Sequence, residues 1–159
     1  MTATVPHHAP HLARETFLEN PLGTAVGIAD VLDDFEFLSD WEDRYAYIID
    51  LGRKLPSYPE EARDEAHKVH GCQSQVWLVH YFDPASGQLY LLLDSDAMIV
   101  RGLAALVLIA LNARTPQELL SVDIDDLFQK LDLFRHMSPT RGNGLRAMVG
   151  RIQELARQY

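Results

Sequence analysis

The sequence is poor in cysteine and in basic residues, and it has no long hydrophobic run. Cys72 is the only cysteine among 159 residues, which excludes an internal disulfide, a four-cysteine iron–sulfur cluster and a two-cysteine redox cycle within the chain. Lysine and arginine number 14 against 23 aspartate and glutamate residues, a formal net charge of −9. Because that charge repels a phosphate backbone, we expect no nucleic-acid partner.

The N-terminus and the apolar runs give no indication of secretion or of a membrane. The first residues, MTATVPHHAPHLARETF, lack the basic-then-apolar layout of a secretory signal. The longest uncharged apolar stretch lies between Arg101 and Arg114, about two-thirds of the length that a transmembrane helix requires. Together with the single cysteine, these features predict a cytoplasmic location and no membrane partner.

The length of the chain and its 47% hydrophobic content predict one globular domain. Residues 1–20 carry three histidines, two prolines and little periodicity, which predicts a mobile N-terminal arm ahead of a single domain over residues 21–159. His7, His8 and His11 in that arm could bind a stray metal ion, but we expect neither a functional metal site nor a cofactor in this chain.

The hydrophobic pattern predicts an α+β fold, with a small antiparallel sheet of about three strands covered by helices. The runs QVWLVHYF and QLYLLL flank the turn residues DPASG and indicate a hairpin, and HKVH adds a third, short strand. Two helices are predicted before the hairpin, the second with Ser39 as its N-cap. After the hairpin come a buried helix opened by the capping signature DSDA, a short helix capped by Thr115, an amphipathic helix, and a last helix entered through a Ser-Pro turn and a glycine-rich bend.

Cys72 follows Gly71 in a polar segment just before the hairpin. A lone cysteine is commonly an inert, buried hydrophobe. Glycine, however, permits a tight or left-handed bend and clears space for a bulky group to approach the sulfur. His67, Lys68 and His70 precede the cysteine and would favour a thiolate if they also approach it in space. This setting predicts a reactive thiol on an exposed loop.

Three uses of the Cys72 thiol remain open on residue types alone. A papain-like hydrolase would combine it with His136 and Asp96, but such enzymes commonly draw thiolate stabilisation from a helix N-terminus, whereas this cysteine leads into a strand. A single thiol can instead accept a group from one partner and give it to another. The third alternative is a domain whose thiol is buried and inert.

Three motifs in order, GCQSQVW, DSDAMIVRGL and SPTRGNGL, make the sequence similar to the SufE-type sulfur acceptors of cysteine desulfurases. The resemblance extends from about Leu38 to the C-terminus, and WEDRYAYIIDLGRKLP is similar to the helix that precedes the family's cysteine. It implies the fold of SufE- and IscU-like proteins. It also implies that a desulfurase takes sulfur from free cysteine and passes it as a persulfide to Cys72, for delivery to an iron–sulfur cluster assembly scaffold.

The resemblance makes four residues candidates for the site. Cys72 would be the persulfide acceptor. Arg141 matches an arginine that the family places near the cysteine loop, where its charge would stabilise a thiolate or persulfide or contact the desulfurase. Gln73 would donate an amide hydrogen bond to the sulfur or cap the loop. Asp96 belongs to the family's acidic turn, for which capping of the next helix is the simpler explanation.

A persulfide needs shielding, since an exposed one is open to reduction or further oxidation. The family suggests a loop that holds the sulfur in an apolar pocket when idle and turns it outward for the partner. We expect Val76, Trp77, Met98 and Leu103 to line that pocket.

The expected partners are a SufS-like cysteine desulfurase and iron–sulfur scaffold proteins. Pyridoxal phosphate is expected in the desulfurase, because none of Lys54, Lys68 and Lys130 lies in a context that suggests a Schiff base. The chain would then be a persulfide carrier and desulfurase activator rather than a stand-alone enzyme, as a monomer or a homodimer. The alternative is a binding module that activates the desulfurase allosterically, with Cys72 not obligatory.

Overall fold

The computed structural model describes residues 14–159. The histidine cluster of the predicted arm therefore lies outside the described residues. Within them the helices and strands are, in chain order, α1 (Arg14–Leu18), α2 (Ile28–Phe37), α3 (Trp41–Gly52), β1 (Val76–Asp83), β2 (Gln88–Ser95), α4 (Met98–Leu111), α5 (Pro116–Ser121), α6 (Ile124–Lys130) and α7 (Pro139–Ala156). Short 3-10 turns occur at Glu60–Ala62, Glu65–His67 and Phe134–His136.

The sheet is the antiparallel hairpin of β1 and β2, and it confirms the predicted α+β class. The predicted third strand is wrong, because in the described part of the chain HKVH contributes only one bridge, between Lys68 and Trp77. The Val69 N–H donates to the Val76 carbonyl at 2.8 Å. Gly71 then turns the chain with a φ of +93°, so the pairing ends before a strand can form.

Helix α4 forms the centre of the core. Its residues from Gly102 to Leu111 are all buried, as expected of a helix that packs against other elements on several sides. The sheet, α3 and α7 all pack on it. Within residues 14–159 no helix is both long and apolar enough to span a membrane.

The second face of the sheet is covered by the beginning of the described chain. Phe17 of α1 is 1% exposed, and it belongs to a cluster with Tyr58, Ala62, Val79 and Leu92. Residues 14–20 were predicted to be part of a mobile arm, but burial of Phe17 makes this segment a structural part of the domain.

The crossing of α3 and α4 depends on two glycines. A Cβ on Gly52 would lie 2.8 Å from the Gly102 nitrogen, and a Cβ on Gly102 would overlap the carbonyl oxygen of Ile48. Real Cβ atoms do not approach other atoms this closely, so the two helix backbones are in direct contact at this point.

Two helix starts test the predicted N-cap residues. The α5 N-cap is confirmed, because the Thr115 side chain accepts a hydrogen bond from the Glu118 N–H at 3.1 Å. The predicted Ser39 cap of α3 is wrong by one residue. Asp40 is the N-cap, and its carboxylate accepts from the Glu42 N–H at 2.9 Å.

The start of α4 differs from the prediction, whereas α7 begins at the predicted Ser-Pro turn but lacks the predicted bend. Ala97, which has no polar side chain, occupies the N-cap of α4, and the Asp96 carboxylate accepts a hydrogen bond from the Gln75 N–H. Helix α7 is capped by Ser138, which accepts from the Arg141 N–H at 3.3 Å. The glycines that follow continue this helix and form no bend.

Candidate functional site

Cys72 lies in the turn between the Lys68–Trp77 bridge and β1, against the first half of α7. Its Sγ donates a hydrogen bond to the Gly144 carbonyl oxygen at 3.6 Å. A Cβ on Gly144 would lie 3.6 Å from the same sulfur, which is an ordinary van der Waals contact. Glycine at position 144 therefore leaves the thiol in close contact with the backbone of α7.

The thiol opens into a cavity of about 90 Å³ between the turn, α4 and α7. This volume is well above the roughly 10–15 Å³ that a cavity needs to hold one water molecule, so there is room for a second sulfur atom. Leu103, Leu145 and Met148 supply a buried apolar floor. The full lining is Cys72, Gln73, Ser74, Val100, Leu103, Thr140, Arg141, Gly144, Leu145 and Met148.

The apolar lining was predicted only in part. Leu103 lines the cavity as expected, but Val76 is fully buried in the core and Met98 is 60% exposed beside a different depression. Trp77 stacks against Arg63, whose guanidinium carbon is 5.2 Å from the ring centroid. Alternation along β1 separates the side chains of adjacent residues onto opposite faces, so Val76 and Trp77 cannot line one pocket together.

Among the predicted site residues, the structure brings Cys72, Gln73 and Arg141 to one cavity. Asp96 lies elsewhere, at the end of the same turn. Its Oδ1 accepts a hydrogen bond from the Gln75 N–H at 3.1 Å. Ser95 adds to this anchor, because its Oγ donates to the Gln75 carbonyl at 2.7 Å. The predicted helix cap is therefore replaced by a clamp on the residue that ends the cysteine turn.

A buried ion pair lies next to this clamp, at Asp94, the residue before Ser95. Asp94 is 5% exposed and accepts a hydrogen bond from Arg63 Nη2 at 2.5 Å, with Arg101 Nε 3.5 Å away. The Arg63 guanidinium is also packed 5.2 Å from the ring centroid of Tyr58. Sequence reasoning missed Arg63, because its partner is 31 residues away and the surrounding PEEARDE is typical of a solvated connector.

The basic residues before Cys72 do not lie in the thiol cavity. His67 Nδ1 is 2.6 Å from an Asp64 carboxylate oxygen, and His70 Nε2 is 3.6 Å from one of Glu65. Burial raises the pKa of the Cys72 thiol above its ordinary value. This conformation therefore does not show the exposed, activated thiolate that was predicted, because the Cys72 thiol is half-buried and its burial favours the neutral form.

The papain-like alternative is not supported by the geometry. Neither His136 nor Asp96 lines the cavity of Cys72. His136 instead stacks on Trp41 with ring centroids 4.0 Å apart and lies 3.4 Å from a carboxylate oxygen of Asp132. Over residues 14–159, no group of three or more His, Cys, Asp and Glu side chains is placed to hold a metal ion.

We expect iodoacetamide to alkylate Cys72 more slowly in the folded chain than in the unfolded chain near neutral pH. Only the thiolate reacts, and the raised pKa of the buried thiol means that less thiolate is present until the pH exceeds that pKa. The measurement is the alkylation rate against pH, with the chain in denaturant as the control. The midpoint should lie above the value of about 8.5 for free cysteine. A midpoint at or below that of the denatured chain would contradict the burial argument.

Comparison with known proteins connects this site to one family. The family model described as SufE, an Fe-S metabolism associated domain, matches residues 29–156. An uncharacterized SufE-like protein of Rhizobium etli is 47% identical over 129 residues, which cover 80% of this chain and 87% of that protein. An uncharacterized SufE-like protein of Rhizobium meliloti is 46% identical over 128 residues, covering 79% and 91% respectively.

A solved structure is similar in fold. The solution structure of a hypothetical protein from Thermus thermophilus superposes with a TM-score of 0.66 at 24% identity, over 82% of this chain and 93% of that one. At this identity the likeness concerns the fold alone, and it agrees with the α+β architecture described above.

Proposed function

The chain belongs to the SufE family of proteins associated with Fe–S metabolism, and on that premise we propose that it accepts sulfur as a persulfide on Cys72 from a cysteine desulfurase. The observation that carries the proposal is the placement of the only cysteine. Its half-buried sulfur opens into a cavity with an apolar floor and spare volume. Such a site suits a sulfur atom that must be held and protected between two transfers.

The chemistry is an exchange at sulfur. The Cys72 thiolate attacks the outer sulfur of the donor's persulfide, a new S–S bond forms to Cys72, and the S–S bond of the donor breaks. The donor's cysteine leaves as a thiolate, and the proton of the Cys72 thiol is given up before attack. No net oxidation or reduction takes place, because one S–S bond replaces another.

The surroundings of Cys72 favour the neutral thiol at rest and can stabilise the thiolate when it attacks. In the resting cavity, burial and the hydrogen bond to the Gly144 carbonyl favour the neutral thiol. Arg141 and Gln73 line the same cavity and are exposed. When the turn moves the sulfur toward solvent, the desolvation cost of the thiolate falls, and the guanidinium and amide are the adjacent groups able to stabilise the anion.

The wider assignments follow from the same proposal. The donor is a SufS-like desulfurase that carries pyridoxal phosphate and removes sulfur from free cysteine. The sulfur then passes to an iron–sulfur scaffold protein. Both steps are placed in the cytoplasm, where reducing conditions keep Cys72 a free thiol.

Intact mass spectrometry tests the proposal directly. The full chain is incubated with a cysteine desulfurase and free cysteine in the absence of reductant, beside the Cys72→Ser variant. We expect a gain of one sulfur atom on the native chain, reversed by a thiol reductant and absent from the variant. Absence of this gain, with a desulfurase shown to bind the chain, would refute the carrier function for that pair.

A further inference from the structure

The Cys72 turn is anchored at its exit by a series of hydrogen bonds that begins at Arg63. Arg63 Nη2 donates to Asp94 Oδ2 at 2.5 Å, and Asp94 Oδ1 accepts from the Ser95 N–H at 2.8 Å. The Ser95 hydroxyl then donates to the Gln75 carbonyl at 2.7 Å. Four residues from three parts of the chain are thereby joined, and the last of them lies three positions after Cys72.

The Arg63 side chain also lies where the entry of the turn joins the sheet. Its guanidinium carbon is 5.2 Å from the centroid of the Trp77 ring. Trp77 is opposite Asp94 in the hairpin, and it forms the isolated bridge with Lys68. Arg63 therefore contacts both members of the residue pair from which the two ends of the turn are held.

The second oxygen of the Asp94 carboxylate depends on Arg63. Arg101 Nε is 3.5 Å from Oδ1, the oxygen that also accepts from the Ser95 N–H. Within residues 14–159, the hydrogen-bond and ion-pair partner of Oδ2 is Arg63. Loss of the Arg63 guanidinium would therefore leave Oδ2 without this bond and allow the carboxylate to rotate away from the Ser95 N–H.

The ion pair of Arg63 and Asp94 suits the fixing of a position better than the stabilising of a core. Asp94 is buried, and the Arg63 side chain is three-quarters buried. The desolvation of two charges commonly cancels their attraction, and apolar side chains of similar volume often give equal or greater stability. The charged pair adds direction instead, because a guanidinium and a carboxylate bond in a defined geometry.

We propose that Arg63 is a positioning residue for sulfur transfer, which acts through Asp94 and Ser95 to keep the Cys72 sulfur in its cavity. The inference rests on the sulfur-acceptor function proposed above and adds the group that restrains the turn. While the series of bonds is intact, the sulfur stays against the apolar floor. When the Ser95 bond to Gln75 is broken, fewer bonds hold the exit of the turn, and Cys72 reaches solvent more often.

Alkylation of Cys72 by iodoacetamide tests this restraint without a desulfurase. Arg63→Gln removes the charge and Arg63→Lys keeps it, whereas Ser95→Ala removes the hydroxyl that bonds the Gln75 carbonyl. Leu127→Ala is the control for stability, because Leu127 is a buried residue of α6 that does not line the thiol cavity. The readouts for the full chain and each variant are the alkylation rate against pH and the urea midpoint.

We expect Arg63→Gln and Ser95→Ala to be alkylated several-fold faster than the native chain at neutral pH. The pH midpoint of the rate should fall toward that of the denatured chain, because an exposed thiolate is not penalised by burial. Arg63→Lys should lie between Arg63→Gln and the native chain. Leu127→Ala should have a lower urea midpoint but react as the native chain does in the absence of urea.

A double variant shows whether Arg63 acts through Ser95. Arg63→Gln combined with Ser95→Ala should react no faster than Ser95→Ala alone, because both changes interrupt the same series of bonds. Rates that multiply in the double variant would refute this route. Native kinetics in Ser95→Ala and in the folded Arg63 variants would overturn the restraint itself, and so would an equal acceleration in Leu127→Ala.

A second readout connects the restraint to sulfur transfer. After loading by a cysteine desulfurase and free cysteine, the sulfur on Cys72 should be lost to a thiol reductant several-fold faster in Arg63→Gln than in the native chain. Equal rates of loss would contradict a role of Arg63 in shielding the sulfur. Absence of sulfur on the native chain would instead refute the acceptor function, while the alkylation rates would still decide whether Arg63 restrains the turn.

Discussion

Replacement of Cys72 by serine is expected to abolish stimulation of the desulfurase while leaving its binding to the chain intact. Serine is close to cysteine in size, and its hydroxyl can still donate to the Gly144 carbonyl that accepts from the thiol. The cavity and the turn should therefore keep their shape. The hydroxyl is not ionised at neutral pH and cannot attack the donor's persulfide, so turnover should fall to that of the desulfurase alone.

The measurement combines two quantities on the same samples. Desulfurase turnover with free cysteine is followed as alanine formed, and affinity is followed by calorimetry without substrate. Ser74→Ala is the matched control, because Ser74 lines the same cavity without supplying a nucleophile, and it should stimulate as the native chain does. Stimulation retained in Cys72→Ser would favour the alternative, an allosteric activator in which Cys72 is not obligatory.

Gly102→Ala is expected to destabilise the fold by about 3 kcal/mol or more, the upper end of the cost of overpacking a core. The new Cβ would overlap the Ile48 carbonyl oxygen. The two backbones are also close at Gly52 and the Gly102 nitrogen, so the obstacle is backbone, which cannot move aside as a flexible side chain can. Helices α3 and α4 would have to separate, and the buried residues of α4 would lose contacts along its length.

Urea unfolding followed by circular dichroism measures this effect. Gly150→Ala is the matched control, since its Cβ meets nothing within 4 Å. Its stability should rise by up to about 1 kcal/mol from helix propensity alone. Equal urea midpoints for Gly102→Ala and the native chain would contradict the close crossing of α3 and α4.

The parts of the fold that follow from local sequence were predictable. The hairpin and the buried helix α4 are continuous apolar runs bounded by turn residues, and Thr115 caps α5 through a bond to a residue three positions away. HKVH failed as a strand because the turn at Gly71 ends its pairing after a single bridge. A β-strand pattern indicates that a segment can pair with a neighbouring strand, but it does not show over how many residues the pairing can run.

The candidate site was less predictable, because it is assembled from three distant segments. Gln73 and Arg141 were named through the family resemblance, and nothing in their spacing places them at one cavity. The bond between Arg63 and Asp94 spans 31 residues, so no local pattern reports it. Lys68 and His70 lie close to Cys72 in the chain yet line a different depression, because the chain turns at Gly71 between them and the thiol.

The clamp at Gln75 limits how far the thiol can travel. Val69 is tied to β1 by its hydrogen bond to Val76, and Gln75 is tied by Ser95 and Asp96. Cys72 lies three residues from each of these anchors. Three fully extended residues span about 10 Å, so the α-carbon of Cys72 remains within that radius of both anchors in any conformation that keeps the clamp.

A tether this short rules out a swinging arm that carries sulfur between separated active sites. Under the function proposed above, the donor's cysteine must come to the chain, to within the reach of this tether. The same holds for the protein that receives the sulfur next. Both partners must therefore approach the same side of the molecule, and the turn can serve only one of them at a time.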